Sequence, residues 1–229
     1  MEILLRVMAI VVGYFFGLFN TGYIYGKMKG IDIREHGSGN AGTTNAMRVL
    51  GKKAGIMTYA GDMLKAMISG CLMRFVVCGV ILDTSEDFAF LIMMYTCVGV
   101  ILGHNFPFYM GFKGGKGIAA SSGVIGATLD VRMWIISIIV FALVVYITKY
   151  VSVGSMVLLV SFFIQIVVFT QADILWGMDS MSEYLVECYL LVLFLAILSV
   201  VRHKANIVRL MNGTENKVGQ KKTQEGKED

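Results

Sequence analysis

The sequence predicts an all-α polytopic membrane protein with seven transmembrane helices, the fourth of them short. Three observations carry that expectation. Of 229 residues, 56% are hydrophobic and only 16% are charged, against about 25% charged in an ordinary soluble protein. Mean hydropathy is +0.71. The apolar residues fall in runs of membrane-spanning length. A soluble chain of this size exposes too much surface to cover with so few charges. The composition also excludes a disordered chain, a collagen-like chain and a basic nucleic-acid binder. Cys71, Cys78, Cys97 and Cys188 all lie within apolar runs and show no ligand spacing. They read as buried thiols, with no metal site and no disulfide framework.

A helix needs about 20 apolar residues to cross about 30 Å of hydrocarbon. Residues 4–26, 54–82, 88–106, 133–148, 151–170 and 184–201 are the clear spans. The first is too long for a signal-peptide core and is followed by lysines, so it reads as a retained span. Residues 118–129 form a seventh apolar segment, short enough to suggest a buried or re-entrant helix. Charge decides how to count it. Lys27, Lys29, Arg34, Arg48, Lys52 and Lys53 follow the first span, and Arg202, Lys204, Arg209 and Lys217 open a basic tail. Asp83, Glu86 and Asp87 mark one acidic loop; Asp173, Asp179 and Glu183 mark another. The positive-inside rule puts both basic regions in the cytoplasm. Six spans would separate them; counting 118–129 as a crossing reunites them. The expectation is an outer N-terminus and a cytoplasmic C-terminus. Residues 1–216 form one integral-membrane domain, and 217–229 a disordered tail.

Three polar stretches fall on the predicted cytoplasmic side. The first holds Gly37, Ser38, Gly39, Asn40, Gly42, Thr43, Thr44, Asn45 and Arg48. The second holds Gly103, His104, Asn105 and Pro107, then Lys113, Gly114, Gly115, Lys116 and Gly117. The third holds His203, Asn206 and Arg209, then Gly213, Thr214 and Glu215. Their shared chemistry is anion binding. Glycines let backbone N–H groups approach a ligand, Arg48 offers a planar fork, and Lys116 a point charge. Lys116 also precedes the short segment, whose helical N-terminus would add its dipole. The literal GxGxxG at 37–42 lacks the strand and βαβ unit of a dinucleotide site. Gly114, Gly115, Lys116 and Gly117 do not complete a Walker A motif, because Met110 and Gly117 stand at its required Gly and Ser/Thr. Within the spans, Asp62 and Lys65 read equally as a structural ion pair or a substrate contact. Arg74 and Glu187 either snorkel or pair. Gly13/Gly17, Gly22/Gly26 and Gly99/Gly103 suit close helix packing.

These stretches resemble the motifs of the bacterial membrane acyl-phosphate:glycerol-3-phosphate acyltransferases, the PlsY family. S-G-N-x-G-x-T-N-x-x-R matches residues 38–48; G-H-x-x-P followed by F-K-G-G-K-G matches 103–117; H-R-x-N-I-x-R-L followed by G-T-E matches 203–215. D-x-x-K matches Asp62 and Lys65. Departures are mild: Lys204 replaces an arginine, Thr43 an alanine, and Ser121 a threonine. The resemblance implies transfer of the acyl group of an acyl phosphate to the 1-hydroxyl of sn-glycerol 3-phosphate. The products are lysophosphatidic acid and inorganic phosphate, in the first acylation of phospholipid synthesis. Consistently, the positions five after His36, His104 and His203 are Ala41, Tyr109 and Val208, so no H-x-x-x-x-D dyad is present.

The expected catalytic residues are Ser38, Arg48, Lys116, His203 and Asn206. Ser38, Arg48 and Lys116 would hold phosphates and Asn206 the developing oxyanion. His203 would orient a phosphate or accept the hydroxyl proton, as a group titrating near neutrality; the leaving phosphate is the other candidate base. Gly39, Asn40, Gly42, Thr43, Asn45, His104, Lys113, Gly114, Gly115, Gly117, Arg209 and Glu215 would line the binding site. No cofactor or metal is expected, and no nucleic acid. The partners are membrane lipid and the two substrates, the protein acting as a monomer in the bacterial plasma membrane with its site facing the cytoplasm. The alternative is a small anionic-solute transporter, which the segment around 103–121 would suit as a broken helix.

Overall fold

The computed structural model describes residues 1–219. Ten α-helices occur among them: α1 Glu2–Leu18, α2 Thr21–Met28, α3 Thr43–Leu50, α4 Lys52–Cys71, α5 Glu86–Asn105, α6 Ile118–Ala127, α7 Val131–Thr148, α8 Val151–Gln171, α9 Leu185–Arg202 and α10 Lys204–Met211. A π-helical stretch, Leu72–Ile81, extends α4. The described residues contain no strand. Six helical stretches are long and apolar enough to cross a membrane. Of the expected tail, residues 220–229 lie outside the described residues. Before them, the Val218 amide donates to the Lys149 carbonyl at 2.8 Å.

The centre is α5. Phe90, Leu91, Met93, Met94, Cys97 and Val100 are all fully buried, because this helix is apolar on every side and neighbours surround it. Small residues set the closest contact. A Cβ on Gly17 of α1 would come 2.9 Å from the Gly103 Cα, so side chains larger than hydrogen are excluded there. The outer surface is apolar in turn. Ile138, Ile139, Leu143 and Ile147 on α7, with Val186, Leu190 and Ile197 on α9, stand exposed. Lipid tails solvate such a surface as a core would.

The expected first span, residues 4–26, is broken. α1 ends at Leu18, Phe19 and Asn20 are extended, and α2 starts at Thr21. The break holds because its loose backbone groups are met. Lys65 Nζ donates to the carbonyls of Gly17 at 3.2 Å and Phe19 at 2.6 Å. Asp62 Oδ1 accepts from the Thr21 amide and hydroxyl at 3.3 and 3.1 Å, and the Asn20 side chain caps the Tyr23 amide. Hydropathy sees only the apolar run, not a clamp that arrives from another helix.

Contacts sort the helix ends onto two faces. On the first, Arg6 bonds Glu187 at the start of α9, Arg74 reaches Glu86 and the Trp176 carbonyl, and Arg132 reaches the Ile174 carbonyl at 2.6 Å. So Arg74 and Glu187 do not pair with each other. On the second face, Arg34 bonds the Met110 carbonyl at 2.9 Å and Arg202 the Gly115 carbonyl at 2.9 Å. The helix α6 begins on the second face and ends at Ala127; the chain then turns through Asp130 into α7, whose Arg132 lies on the first face. The ten residues of α6 rise only about 15 Å. It is lined by Ala120, Ser121, Gly123 and Ala127, all buried, which lets it press against α4.

Candidate active site

The second face opens into a cavity of about 980 Å³. Every expected site residue lines it except Gly115. The three motifs, far apart in sequence, therefore converge, because α3, the loop before α6, and the joint between α9 and α10 share this face.

The first motif wraps the start of α3. Gly42 occupies the N-cap and offers no side-chain partner to the first amides, so the helix start is open toward the cavity beside Ser38, Thr43 and Thr44. Asn45 lines the cavity and also braces the loop. Its Oδ1 accepts from the Ser38 amide at 2.8 Å, and its Nδ2 donates to the Ile33 and His36 carbonyls at 3.0 Å each. The buried amide thus braces the 33–38 loop. Arg48 stands exposed at the rim.

The second motif is a loop tied back onto the end of α5. The Gly114 amide donates to the Asn105 carbonyl and the Gly115 amide to the His104 carbonyl, both at 3.1 Å. Gly117 adopts a left-handed φ of +82° as the N-cap of α6, a conformation glycine takes without strain. Again the cap provides no side chain, so a second helix start with open amides faces the cavity. Lys116 projects beside it.

The third motif completes the ring. α9 ends at Arg202, and His203 forms the joint to α10. Asn206 links two motifs: its Oδ1 accepts from Lys116 Nζ and its Nδ2 donates to Glu215 Oε1 at 2.6 Å. Glu215 also accepts from Ser152 Oγ at 2.9 Å and Arg209 Nε at 2.7 Å. These donors hold its carboxyl below the usual range, outweighing burial. Arg209 is therefore committed to Glu215.

Electrostatics separate the roles. Burial lowers the Lys116 ammonium to about 8, helped by Arg209 and Arg202 and opposed by Glu215. His203 is lowered to about 4, mainly by burial, with Lys116 and Arg202 adding to it. It does not titrate near neutrality as expected, because apolar packing and neighbouring cations disfavour its charged form. Its Nδ1 lies 2.8 Å from the Ser199 carbonyl, which only an N–H can satisfy. The neutral ring therefore keeps Nε2 as an acceptor. Among the described residues, Arg48, Lys113, Lys116, Arg202 and Lys217 line the cavity and make no salt bridge.

Sequence reasoning missed two contributors. Arg202 donates to the Gly114 and Gly115 carbonyls at 3.3 and 2.9 Å and stacks over Phe106 at 4.9 Å, locking the second motif to the third. Its position beside His203 was the available signal. Ser152, at the start of α8, has no sequence signal at all.

Known proteins match this arrangement. The glycerol-3-phosphate acyltransferase family profile covers residues 7–213. A glycerol-3-phosphate acyltransferase of Clostridioides difficile (strain 630) is 42% identical over 97% of this chain and 100% of its own length. One of Bacillus subtilis (strain 168) is 37% identical over 94% and 98%. The crystal structure of PlsY (YgiH), an integral membrane glycerol 3-phosphate acyltransferase, in its glycerol 3-phosphate form is 29% identical, with a TM-score of 0.73 over 95% of this chain and 96% of that one. Its lysophosphatidic acid form gives a TM-score of 0.74. The chain is an acyltransferase and belongs to the glycerol-3-phosphate acyltransferase family.

Proposed function

We propose that this acyltransferase takes its acyl group from an acyl phosphate and passes it to the 1-hydroxyl of glycerol 3-phosphate. Lysophosphatidic acid and inorganic phosphate leave. The observation that carries the reading is the cavity ringed by three motifs and five cations without carboxylate partners. Two phosphate-bearing substrates need that excess of positive charge. The crystallised relative was captured with glycerol 3-phosphate and with lysophosphatidic acid.

In this reading Ser38, Arg48, Lys116 and the open amides of α3 and α6 hold the phosphates, with Gly39, Asn40, Gly42, Thr43, Lys113, Gly114 and Gly117 shaping the walls. His203 Nε2 accepts a hydrogen bond from the glycerol hydroxyl and aims its oxygen. That oxygen bonds to the acyl carbon, and the bond from the acyl carbon to the phosphate oxygen breaks. A histidine at about 4 is a poor proton acceptor. A phosphate with a second pKa near about 6 is better, so the hydroxyl proton ends on the leaving phosphate. Asn206 fixes the Lys116 ammonium and has one N–H left for the carbonyl oxygen as it gains charge.

The same proposal includes the topology. Residues 1–216 act as one membrane unit that crosses seven times, α6 being the short crossing. The cavity face lies in the cytoplasm of a bacterial plasma membrane and the N-terminus outside. Two facts favour it: the chain enters α6 at the cavity face and emerges after it at Asp130 and Arg132 on the other, and the cavity face carries the basic loops. One chain supplies every cavity wall, which favours a working monomer. The purified protein in nanodiscs, given glycerol 3-phosphate with either an acyl phosphate or the matching acyl-CoA, tests the donor. Product from acyl phosphate alone supports the proposal; product only from acyl-CoA contradicts it.

A further inference from the structure

His104 lies at the cavity floor and is 2% exposed. Its Nδ1 is 2.9 Å from Lys65 Nζ. That ammonium also donates to the carbonyls of Gly17 and Phe19 and to Asp62 Oδ1 at 3.0 Å. The ammonium has three protons to share among these acceptors and Nδ1, and it can only donate. A proton on Nδ1 would point at that ammonium 2.9 Å away, so the contact favours a bare Nδ1; the Asp62 carboxylate, 3.7 Å from the same nitrogen, is the competing partner. With Nδ1 bare, the one ring proton sits on Nε2.

Nε2 makes no hydrogen bond among the described residues. It faces Gly115, where a Cβ would come 2.9 Å from the ring Cε1 and closer still to Nε2. Glycine at 115 thus lets the loop backbone pass against the ring edge, where any side chain would strike Nε2, while the ring itself still lines the cavity. This also explains why Gly115 is a motif residue without lining the cavity: its missing side chain is its contribution. Lys116, next in the chain, lines the same cavity.

We propose that His104 is a substrate-binding residue whose locked Nε2–H donates to an anionic phosphate oxygen, with Lys65 as the positioning residue that fixes its tautomer. The proposal rests on the reading of this cavity as a site for phosphate-bearing substrates. The two cavity histidines then have opposite duties. His203, tied through Nδ1–H to Ser199, presents an acceptor; His104, tied through bare Nδ1 to Lys65, presents a donor. The pair Asp62 and Lys65, which clamps the α1–α2 break, thereby also reaches the chemistry.

Two-bond proton–nitrogen spectra of ¹⁵N-histidine-labelled protein test the tautomer directly. Only His36, His104 and His203 contribute signals, and His36→Gln and His203→Gln assign them. The expected result is an Nε2–H tautomer for His104 whose Nε2 resonance shifts when glycerol 3-phosphate alone is added. An Nδ1–H tautomer, or no shift at a saturating level of that ligand, overturns the proposal. Because no acyl donor is present, this outcome is independent of whether acyl phosphate is the donor. Kinetics separate binding from scaffolding. His104→Asn keeps an acceptor for Lys65 but loses the distal donor, and should lower kcat/KM about 10- to 100-fold, the worth of a hydrogen bond to a charged group. His104→Gln, which restores a distal N–H, should recover most of that loss. A folded His104→Asn protein with unchanged kcat/KM would refute the role.

Discussion

The two faces of the molecule use the same residue types in opposite ways. On the face holding the 172–184 loop, every buried or half-buried arginine has a carboxylate. Arg6 bonds Glu187 at 2.8 Å, Arg74 meets Glu86 at 3.4 Å, and Arg132 pairs with Asp130 at 2.6 Å. Arg74 is also enclosed by Phe75, Phe90 and Trp176, with its guanidinium carbon 4.5 to 5.0 Å from each ring. On the cavity face Arg48, Lys113, Lys116, Arg202 and Lys217 have no carboxylate among the described residues. Charges answered within the fold hold the fold. Among those left without a carboxylate around the cavity, Lys116 and Arg202 are partly desolvated, which is costly for a cation without a counter-charge, while Arg48 and Lys113 stand exposed at its rim.

Swapping perturbations between the faces sharpens that contrast. The largest effect should come from Lys116→Ala, which removes the ammonium fixed by Asn206. Lysophosphatidate formation should fall about 10²–10³-fold with the thermal midpoint in detergent little changed; full activity would break the assignment. Arg74→Ala should do the reverse. Emptying its aromatic enclosure should cost about 2–4 kcal/mol of stability, while kcat/KM per folded molecule stays within about twofold. A matching loss of activity in a folded Arg74→Ala protein would erase the distinction between the faces.

Acidity gives a smaller, graded test. Lys116 is a cation below about 8 and His203 is neutral above about 4. Deprotonating Lys116 removes charge from the anion site, so kcat/KM should be highest at about pH 7, above the phosphate pKa of about 6 and below that of Lys116. It should then fall as pH rises through about 8, by tenfold per unit at the steepest. A His203 ¹⁵N titration centred at about 6.5 would instead mean that it titrates as an ordinary histidine. The smallest effect is expected at Lys113→Ala, a cavity cation without a fixed partner, where KM for glycerol 3-phosphate should rise only a few-fold.

Much of this was legible because the signals are local or cumulative. Apolar runs gave the helices to within a few residues, and the distribution of lysine and arginine marked the cavity face. The motifs named the cavity residues because glycines and polar groups in a membrane chain have few other uses. What was not legible depends on contacts across the bundle. The break at Phe19 and Asn20 needs Lys65, 46 residues from Phe19. The bracing role of Asn45 needs the loop carbonyls folded over it. The low pKa of His203 needs burial plus Lys116, and the partner of Arg74 needs the 172–184 loop. Asn206 shows both sides: its type and motif marked it as functional, but its place between Lys116 and Glu215 appears only in three dimensions.

The central claim is that the unpaired cations mark the phosphate site. A structure determined with glycerol 3-phosphate bound tests it most directly. The account predicts the phosphate within hydrogen-bonding reach of Lys116 Nζ and of the open amides at the start of α3 or α6. A phosphate seated on the opposite face, or in the cavity but away from Lys116 and both helix starts, would contradict it.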